Sequence, residues 1–427
     1  MGKVCDLVDV SNYEKCFKKL SSDLIQTKEY ELRFISLYDK YKELYGEKKD
    51  LMMFSAPGRT EICGNHTDHQ KGKVIAASVN LDIIAISGKS KNDIVRIKSD
   101  GYEIDEVSIN DLEMKAEEKN TSKAIIKGVL FGFKKMGYKI GGFDAYTSSN
   151  VLKGSGLSSS AAFEVLVATI INKYFNSSSL DELEISEIGK YAENYYYGKP
   201  CGLMDQMASA YGGTIFIDFS HDKYPQVKKI DLNLSRQKFK LCMIDCGGSH
   251  ENLTNEYSDI INEMKMVASF FKKEFLSQVT EIEFIDNIGK LREKTNDRAV
   301  LRAMHFYEEN KRVNSILRYI EKNNFSDFLN AIKKSGYSSY MYLQNVYKVN
   351  DVSTQSVSIG LALCDKFLDK KGAYRIHGGG FAGTIQAFVP ENIVLSFKEN
   401  IEKVYGKNSC YFLDIRQYGG ICINDLI

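Results

Sequence analysis

The chain has 427 residues, with 57 Lys+Arg against 56 Asp+Glu for a formal net charge of +1, and is 43% hydrophobic and 26% charged. That is ordinary globular composition, with length for about two or three domains, and it excludes a nucleic-acid-coating surface and long disorder. The longest apolar runs, such as Val74–Val79 and Leu361–Cys364, fall well short of the roughly 18 residues a spanning helix needs, so no membrane contact is expected.

The start, MGKVCDLVDV, has no basic segment followed by an apolar one, and Asp6 stands where a myristoylation signal has Ser or Thr. A cytoplasmic protein is therefore expected. Nine Cys form no CxxC pair, and their closest spacing is four, between Cys242 and Cys246; this predicts reduced, mostly buried thiols. His66 and His69 lie close together without a third soft ligand nearby, so no zinc site is read there.

In chain order, residues 1–50 are polar and Lys-rich, and Phe34, Leu37, Tyr38, Tyr41 and Leu44 recur at three- and four-residue steps. This is the period of an amphipathic helix, which Gly46 ends. From Met52, the short apolar runs MMFSAPGR, VIAASVNLDIIAISG and DIVRIKS read as strands. Helical periods cover 121–137 and 160–175, a helix with Glu193 near its end stops around Gly198, and another runs from about Leu203 to Tyr211. GGTIFIDF returns to a strand, a loop follows around His221–Gln226, and KLCMIDCG is again a strand. Long helices over 255–274, 296–321 and 325–346 precede a late strand pair in GAYRIHGGGFAGTIQAFV. No 20–50-residue repeat is visible, and the mixing of strands and helices without strict alternation predicts an α+β fold in two lobes.

Three segments concentrate chemistry. In NVLKGSGLSSSAAFEV, residues 150–165, Gly154 and Gly156 permit close backbone approach, and three Ser precede an apolar helix. Such a helix start offers free N–H groups to phosphate, although a Ser there can equally be a plain N-cap. It is neither a Walker loop nor a dinucleotide fingerprint. APGRTEICGNHTDHQKG, residues 56–72, gathers one Arg, one Glu, two His and one Asp on what reads as a short loop between strands. In CGLMDQMAS, Asp205 falls within an apolar helical turn, where a carboxylate requires a nearby cation.

Together APGRTEICGNHTDH, KGSGLSSSAA, AENYYYGKPCGLMDQMAS and HGGGFAGTIQAFV resemble the galactokinases of the GHMP small-molecule kinase superfamily, in the family's order. LYDKYKELYG and RAMHFYEENKRV also have counterparts there, whereas the first 30 or so residues do not. The resemblance implies a two-lobed GHMP kinase fold, with an N-terminal mixed α/β lobe over 31–235 after an extension over 1–30, and a ferredoxin-like C-terminal lobe over 236–427. It implies that Asp205 is the catalytic aspartate facing the sugar's anomeric hydroxyl and that Arg59 is its partner. Glu193 and Ser160 match the Mg²⁺ ligands, and Gly154, Ser155, Gly156, Leu157, Ser158, Ser159 and Ser160 match the ATP phosphate loop. His66, Asp68, Gly202 and Tyr257 match sugar contacts.

Where the family signature has Asn and Glu, this chain has Glu61 and Asn65, so the acid and the amide have changed places. His69 replaces a common Tyr, and Asp259–Asn262 stand where the family has an Arg pair. Asn65 is expected at the far end of the sugar, with Glu61 leaning into the same space. The implied activity is ATP- and Mg²⁺-dependent phosphorylation of galactose at its anomeric hydroxyl; the sequence does not set the oligomeric state, and a monomer is the expectation. N-acetylgalactosamine, arabinose or a uronic acid are alternative sugars, and a silent sugar and ATP sensor is an alternative class, against which intact Asp205, Arg59 and Glu193 argue. Tyr257 and HTDH favour a sugar over an isoprenoid-pathway substrate.

Overall fold

A computed structural model of the chain describes residues 13–426 apart from 22, 49, 152–155, 222, 248–253, 350 and 382. Gly154 and Ser155 therefore lie outside the described residues. The Lys-rich start forms α1 (Glu14–Leu20) and α2 (Leu24–Tyr45). Asp23 caps α2 by accepting from the N–H groups of Ile25 and Gln26, and Gly46, at φ 76°, ends it. The helix thus begins several residues before the periodic stretch that announces it.

The first sheet is built from β1 (Met52–Cys63), β2 (Lys73–Lys89), β3 (Ile94–Ser99), β4 (Ile104–Ser108), β5 (Phe143–Ser149), β6 (Thr214–Asp218) and β7 (Gln226–Ile230). Its spine runs β1-β2-β5-β3-β4, with β6 joining another stretch of β2 and β7 joining β6. All of these pairs are antiparallel except β3 with β5. Side chains alternate across the sheet. Met53, Ile84 and Ile86 bury with Phe17, Phe34 and Leu37 of α1 and α2. Phe54, Ala56 and Ala85 belong to the main core, with α3 (Ser122–Lys135), α4 (Ser159–Asn176) and α5 (Glu182–Tyr191). A further helix, α6 (Met204–Tyr211), buries Met204 and Met207 against Val74, Ala76 and Ile215.

The second sheet starts at β8 (Phe239–Asp245). Six helices follow: α7 (Thr254–Phe270), α8 (Glu281–Asp286), α9 (Ile288–Lys294), α10 (Asp297–Glu321), α11 (Phe325–Ser338) and α12 (Ser356–Leu368). Then come β9 (Ala373–Ile376), β10 (Thr384–Pro390), α13 (Val394–Tyr405) and β11 (Cys410–Leu413). The antiparallel order β11-β8-β10-β9 is that of a ferredoxin-like unit, with most of its helices inserted after its first strand.

The structure corrects the sequence reading in three places. Residues 60–63 continue the strand read over 52–59, because β1 pairs with β2 along its length and absorbs irregularities at Pro57/Arg59 and Glu61/Cys63 as bulges. The last residues do not stay with the 236–427 lobe. Instead β12 (Ile421–Cys422) pairs with β1, and Asn424 accepts from Met53 N–H (2.8 Å) while donating to the Tyr13 hydroxyl (3.0 Å). The described part of the 1–30 segment is likewise core, since Phe17 stacks on Phe34 with 5.5 Å between ring centroids.

No described helix is long and apolar enough to cross a membrane. All eight described cysteines are free, and every one but the half-buried Cys201 is buried.

Candidate active site

Pro57 cannot donate to the ladder, and the bulge it opens turns the next residues out of register. Gly58 lets the Leu157 carbonyl approach, and Arg59 N–H donates to it at 3.0 Å. Strand β1 is thereby fixed against the loop entering α4. The Arg59 guanidinium forks onto Asp205 of α6, Nε to Oδ1 at 2.6 Å and Nη2 to Oδ2 at 2.7 Å, while Nη1 donates to the Gly156 carbonyl. This is the cation that Asp205 requires. Burial pushes the Asp205 pKa up, but the Arg59 charge and hydrogen bonds, with a further bond from Ser158, bring it below the ordinary aspartate value. Asp205 is therefore ionised at neutral pH.

Ser158 is the residue before α4, and it adopts a left-handed conformation at φ 57°. Its hydroxyl goes to Asp205 and not to the helix, so Ser158 does not cap α4. The plain N-cap alternative fails for this reason. The first-turn N–H groups keep the positive end of the dipole open to an anion. Leu157 is buried beside this turn, and Ser159 and Ser160 begin it.

Ser160 Oγ donates to Glu193 Oε1 at 2.9 Å. Glu193 is buried on a π-helical turn, Ala192–Tyr197, that interrupts the helix leaving α5 and ends at Gly198. Such turns redirect side chains at functional sites. Lys199 Nζ approaches Glu193 Oε1 at 3.3 Å, and Gln206 Nε2 bridges Glu193 Oε2 and Glu164 Oε2, both at 2.9 Å.

The remaining expected contacts converge beside Asp205. Asp68 lies directly over Gly202, where an added Cβ would fall 1.7 Å from its carboxylate. Burial, then the Asp205 and Glu61 charges, raise the Asp68 pKa to about 6. His66 Nε2 contacts the Gly379 carbonyl at 3.0 Å and must donate there, leaving Nδ1 as an acceptor. Burial lowers its pKa to about 4, so the ring is neutral. The Tyr257 ring packs on Gly379, and its hydroxyl donates to the Gly380 carbonyl at 3.2 Å.

Asn65 departs from expectation. It is 1% exposed and saturated by protein partners. Its Nδ2 donates to Gly378 O at 2.7 Å and Glu61 Oε1 at 3.2 Å, while its Oδ1 accepts from Asn345 at 2.8 Å and Ser339 at 3.3 Å. Glu61 in turn pairs with buried Arg375 at 2.6 Å. No lone pair or proton of Asn65 is left for a sugar, and Glu61 leans toward the second lobe.

Residues 39–89 match the galactokinase galactose-binding signature, and residues 123–213 match the GHMP kinase N-terminal domain. A galactokinase from Clostridium tetani is 30% identical over 376 residues, covering 87% of this chain and 92% of that protein. The chain belongs to the galactokinase family. The galactokinase of Bacillus subtilis is 26% identical over 379 residues, covering 86% and 92% of the two chains. Among solved structures, Lactococcus lactis galactokinase complexed with galactose superimposes with a TM-score of 0.78 at 22% identity, covering 91% of this chain and all of that one. A mevalonate kinase follows the same fold with a TM-score of 0.61 at 13% identity, covering 86% of this chain and 99% of that one.

In this galactokinase-family site, sequence reasoning passed over Gln206, Lys199, Asn345 and Arg375. Gln206 carries a usable signal, being a second polar residue inside an apolar helical turn. Lys199 meets Glu193 only six residues away through the π-helical turn, while the partners of Asn345 and Arg375 are set by chain pairings that no local pattern reveals.

Proposed function

We propose that the chain transfers the γ-phosphoryl group of ATP to the anomeric hydroxyl of galactose, giving galactose 1-phosphate and ADP. The observation that carries this reading is the Arg59–Asp205 fork held beside both the uncapped start of α4 and the Ser160–Glu193 pair. His66, Asp68, Gly202 and Tyr257 then hold the sugar. Gly156 to Ser160, continuous with Gly154 and Ser155, hold the phosphates. The sugar and ATP are the chain's partners, with no nucleic acid or membrane, and it works as a single cytoplasmic chain with its lobes meeting near residue 235.

Ser160 and Glu193 suit Mg²⁺: they present two hard oxygens, and the Lys199 ammonium beside Glu193 marks a place that accommodates positive charge. Mg²⁺ takes only one or two protein oxygens beside phosphate and water, and it would neutralise phosphate charge when bound. The start of α4 and Arg59 add positive potential at the transferring group. Asp205, ionised and therefore a weak base, orients the hydroxyl and accepts its proton late in a loose transition state.

The test is a panel of free sugars with ATP, with and without Mg²⁺, read by ADP release and by the position of phosphate in the product. Galactose 1-phosphate formed only with Mg²⁺ is expected. Transfer undiminished in excess chelator overturns the metal assignment, and phosphate on another hydroxyl overturns the orientation. One observation favours a second reading, a 1-kinase for N-acetylgalactosamine, arabinose or a uronic acid: Asn65 offers the sugar neither a carboxylate nor a free amide.

A further inference from the structure

His377 follows β9 in the glycine-rich turn of the second lobe, and its ring enters the first lobe. The ring is 3% exposed. The backbone N–H of Glu61 donates to Nε2 at 3.1 Å, and the Thr60 hydroxyl lies 3.0 Å from the same nitrogen. An N–H can only donate, so Nε2 is the bare nitrogen and the ring proton sits on Nδ1. Burial, with the Arg59 and Arg375 charges, holds the ring's pKa well below the usual histidine value and keeps it neutral. Among the described residues Nδ1 has no hydrogen-bond partner, and neither has Thr384 Oγ1 on the adjoining strand, whose residue is also 3% exposed. Both face the phosphate loop. A methyl group built on Gly156 would lie 2.9 Å from Nδ1 and 3.7 Å from the Thr384 oxygen. Two unpaired buried donors pressed against one peptide are costly unless another state of the site uses them. The carbonyl of that residue is held for now by Arg59 Nη1.

We infer that His377 is a positioning residue for nucleotide: when ATP or ADP draws Arg59 toward phosphate, the Gly156 carbonyl passes to His377 Nδ1–H, with Thr384 as a second donor. The inference rests on the ATP-loop reading above. The ring spans the lobes, with Nε2 fixed on the sugar-signature strand and Nδ1 receiving the loop. No covalent step is involved.

The test uses the full chain and ADP as the probe, so that binding is read without turnover. His377→Asn keeps an amide near the Nδ1 position, whereas His377→Gln carries its amide to the Nε2 position and abandons the loop. ADP affinity by calorimetry should fall about tenfold in His377→Gln, the worth of one good hydrogen bond, and stay within about threefold in His377→Asn. Galactose affinity should stay within about threefold in both. An equal or larger loss in His377→Asn, or parallel losses for ADP and galactose, would mean that the ring serves only its Nε2 contacts and would overturn the inference. Thr384→Val, close in shape, decides the matter if His377→Gln does not fold: ADP binding weakened about threefold supports the role, and unchanged binding removes it. Wild-type galactose turnover, measured alongside, reports separately on the proposed activity.

Discussion

At the scale of single residues, the site depends on how three carboxylates share few cations. Asp205 has Arg59 to itself, so Asp205→Asn keeps shape and some hydrogen bonding while losing the charge and the proton acceptor. Turnover should fall about 10²–10⁴-fold with sugar affinity changed little; a mutant within about threefold of wild type would make Asp205 a structural residue. Asp68 has no such partner, and its pKa of about 6 carries a stability consequence. A folded-state pKa above the unfolded value means that the bound proton stabilises the fold fully below about pH 4, and that this contribution is lost as pH rises through 6. Asp68→Asn, neutral throughout, should therefore be more stable than wild type at pH 8, by about 1–3 kcal/mol, and the difference should close only as pH falls below about 4. Thermal melts at the two pH values check the sign. Glu61 is committed to Arg375, with Asn65 donating beside it. Asn65→Glu would place a second carboxylate there with two donors lost, and about 3–5 kcal/mol of stability should go with them. Denaturant midpoints test this, and a change in sugar selectivity at unchanged stability would return Asn65 to the sugar.

At the scale of elements, Glu193 is aimed by the π-helical turn, and the turn is seated on α3. Gly128 of α3 touches it so closely that an added Cβ would lie 2.7 Å from Ala192 Cα. Gly128→Ala should push the turn outward, costing about 1–3 kcal/mol, and should raise the Mg²⁺ concentration needed for half-maximal turnover. An unchanged Mg²⁺ requirement in the folded mutant would separate the turn from the proposed Mg²⁺ ligands. Periodic elements such as α3, α4 and α10, and alternating strands such as β3, were legible because burial on one face leaves a local pattern, whereas β5 was not read. Short α8 and α9 were not, having too few turns to show a period, nor were α12 and α13. Glu61 read as loop because the polarity around it suggests solvent, whereas the strand carries Arg59 and Glu61 inward to partners on α6 and β9. The motifs pointed to Asp205, Arg59, Ser160 and Glu193, which the fold brings into two adjoining pairs. That Asn65 is consumed internally could not be read, because Gly378 and Asn345 reach it from the far lobe.

At the scale of the whole molecule, the lobes are joined through the sugar signature itself. Gly64 N–H donates to Glu309 at 3.0 Å, the Asn65 carbonyl accepts from His305 at 2.9 Å, and His66 and Glu61 reach Gly379 and Arg375. The first sheet has a second long-range dependence, on β12 and the Ile423–Leu426 turn. Removing the chain from Ile421 onward would expose Phe54 and remove the Asn424 side chain from the Met53 N–H and the Tyr13 hydroxyl. A melting temperature lowered by several degrees, with Mg²⁺-dependent turnover surviving in whatever remains folded, is the expected result; an unchanged melt would make the tail dispensable. The same pairing sets an order on the ribosome. Strand β1 emerges early, while the segment that pairs with its outer edge, Ile421–Cys422, is made far later in the chain. At about 5–20 residues per second, that edge waits for tens of seconds. During this interval a nascent chain carries an open template for another strand, and crowded synthesis becomes its point of greatest exposure to misassembly.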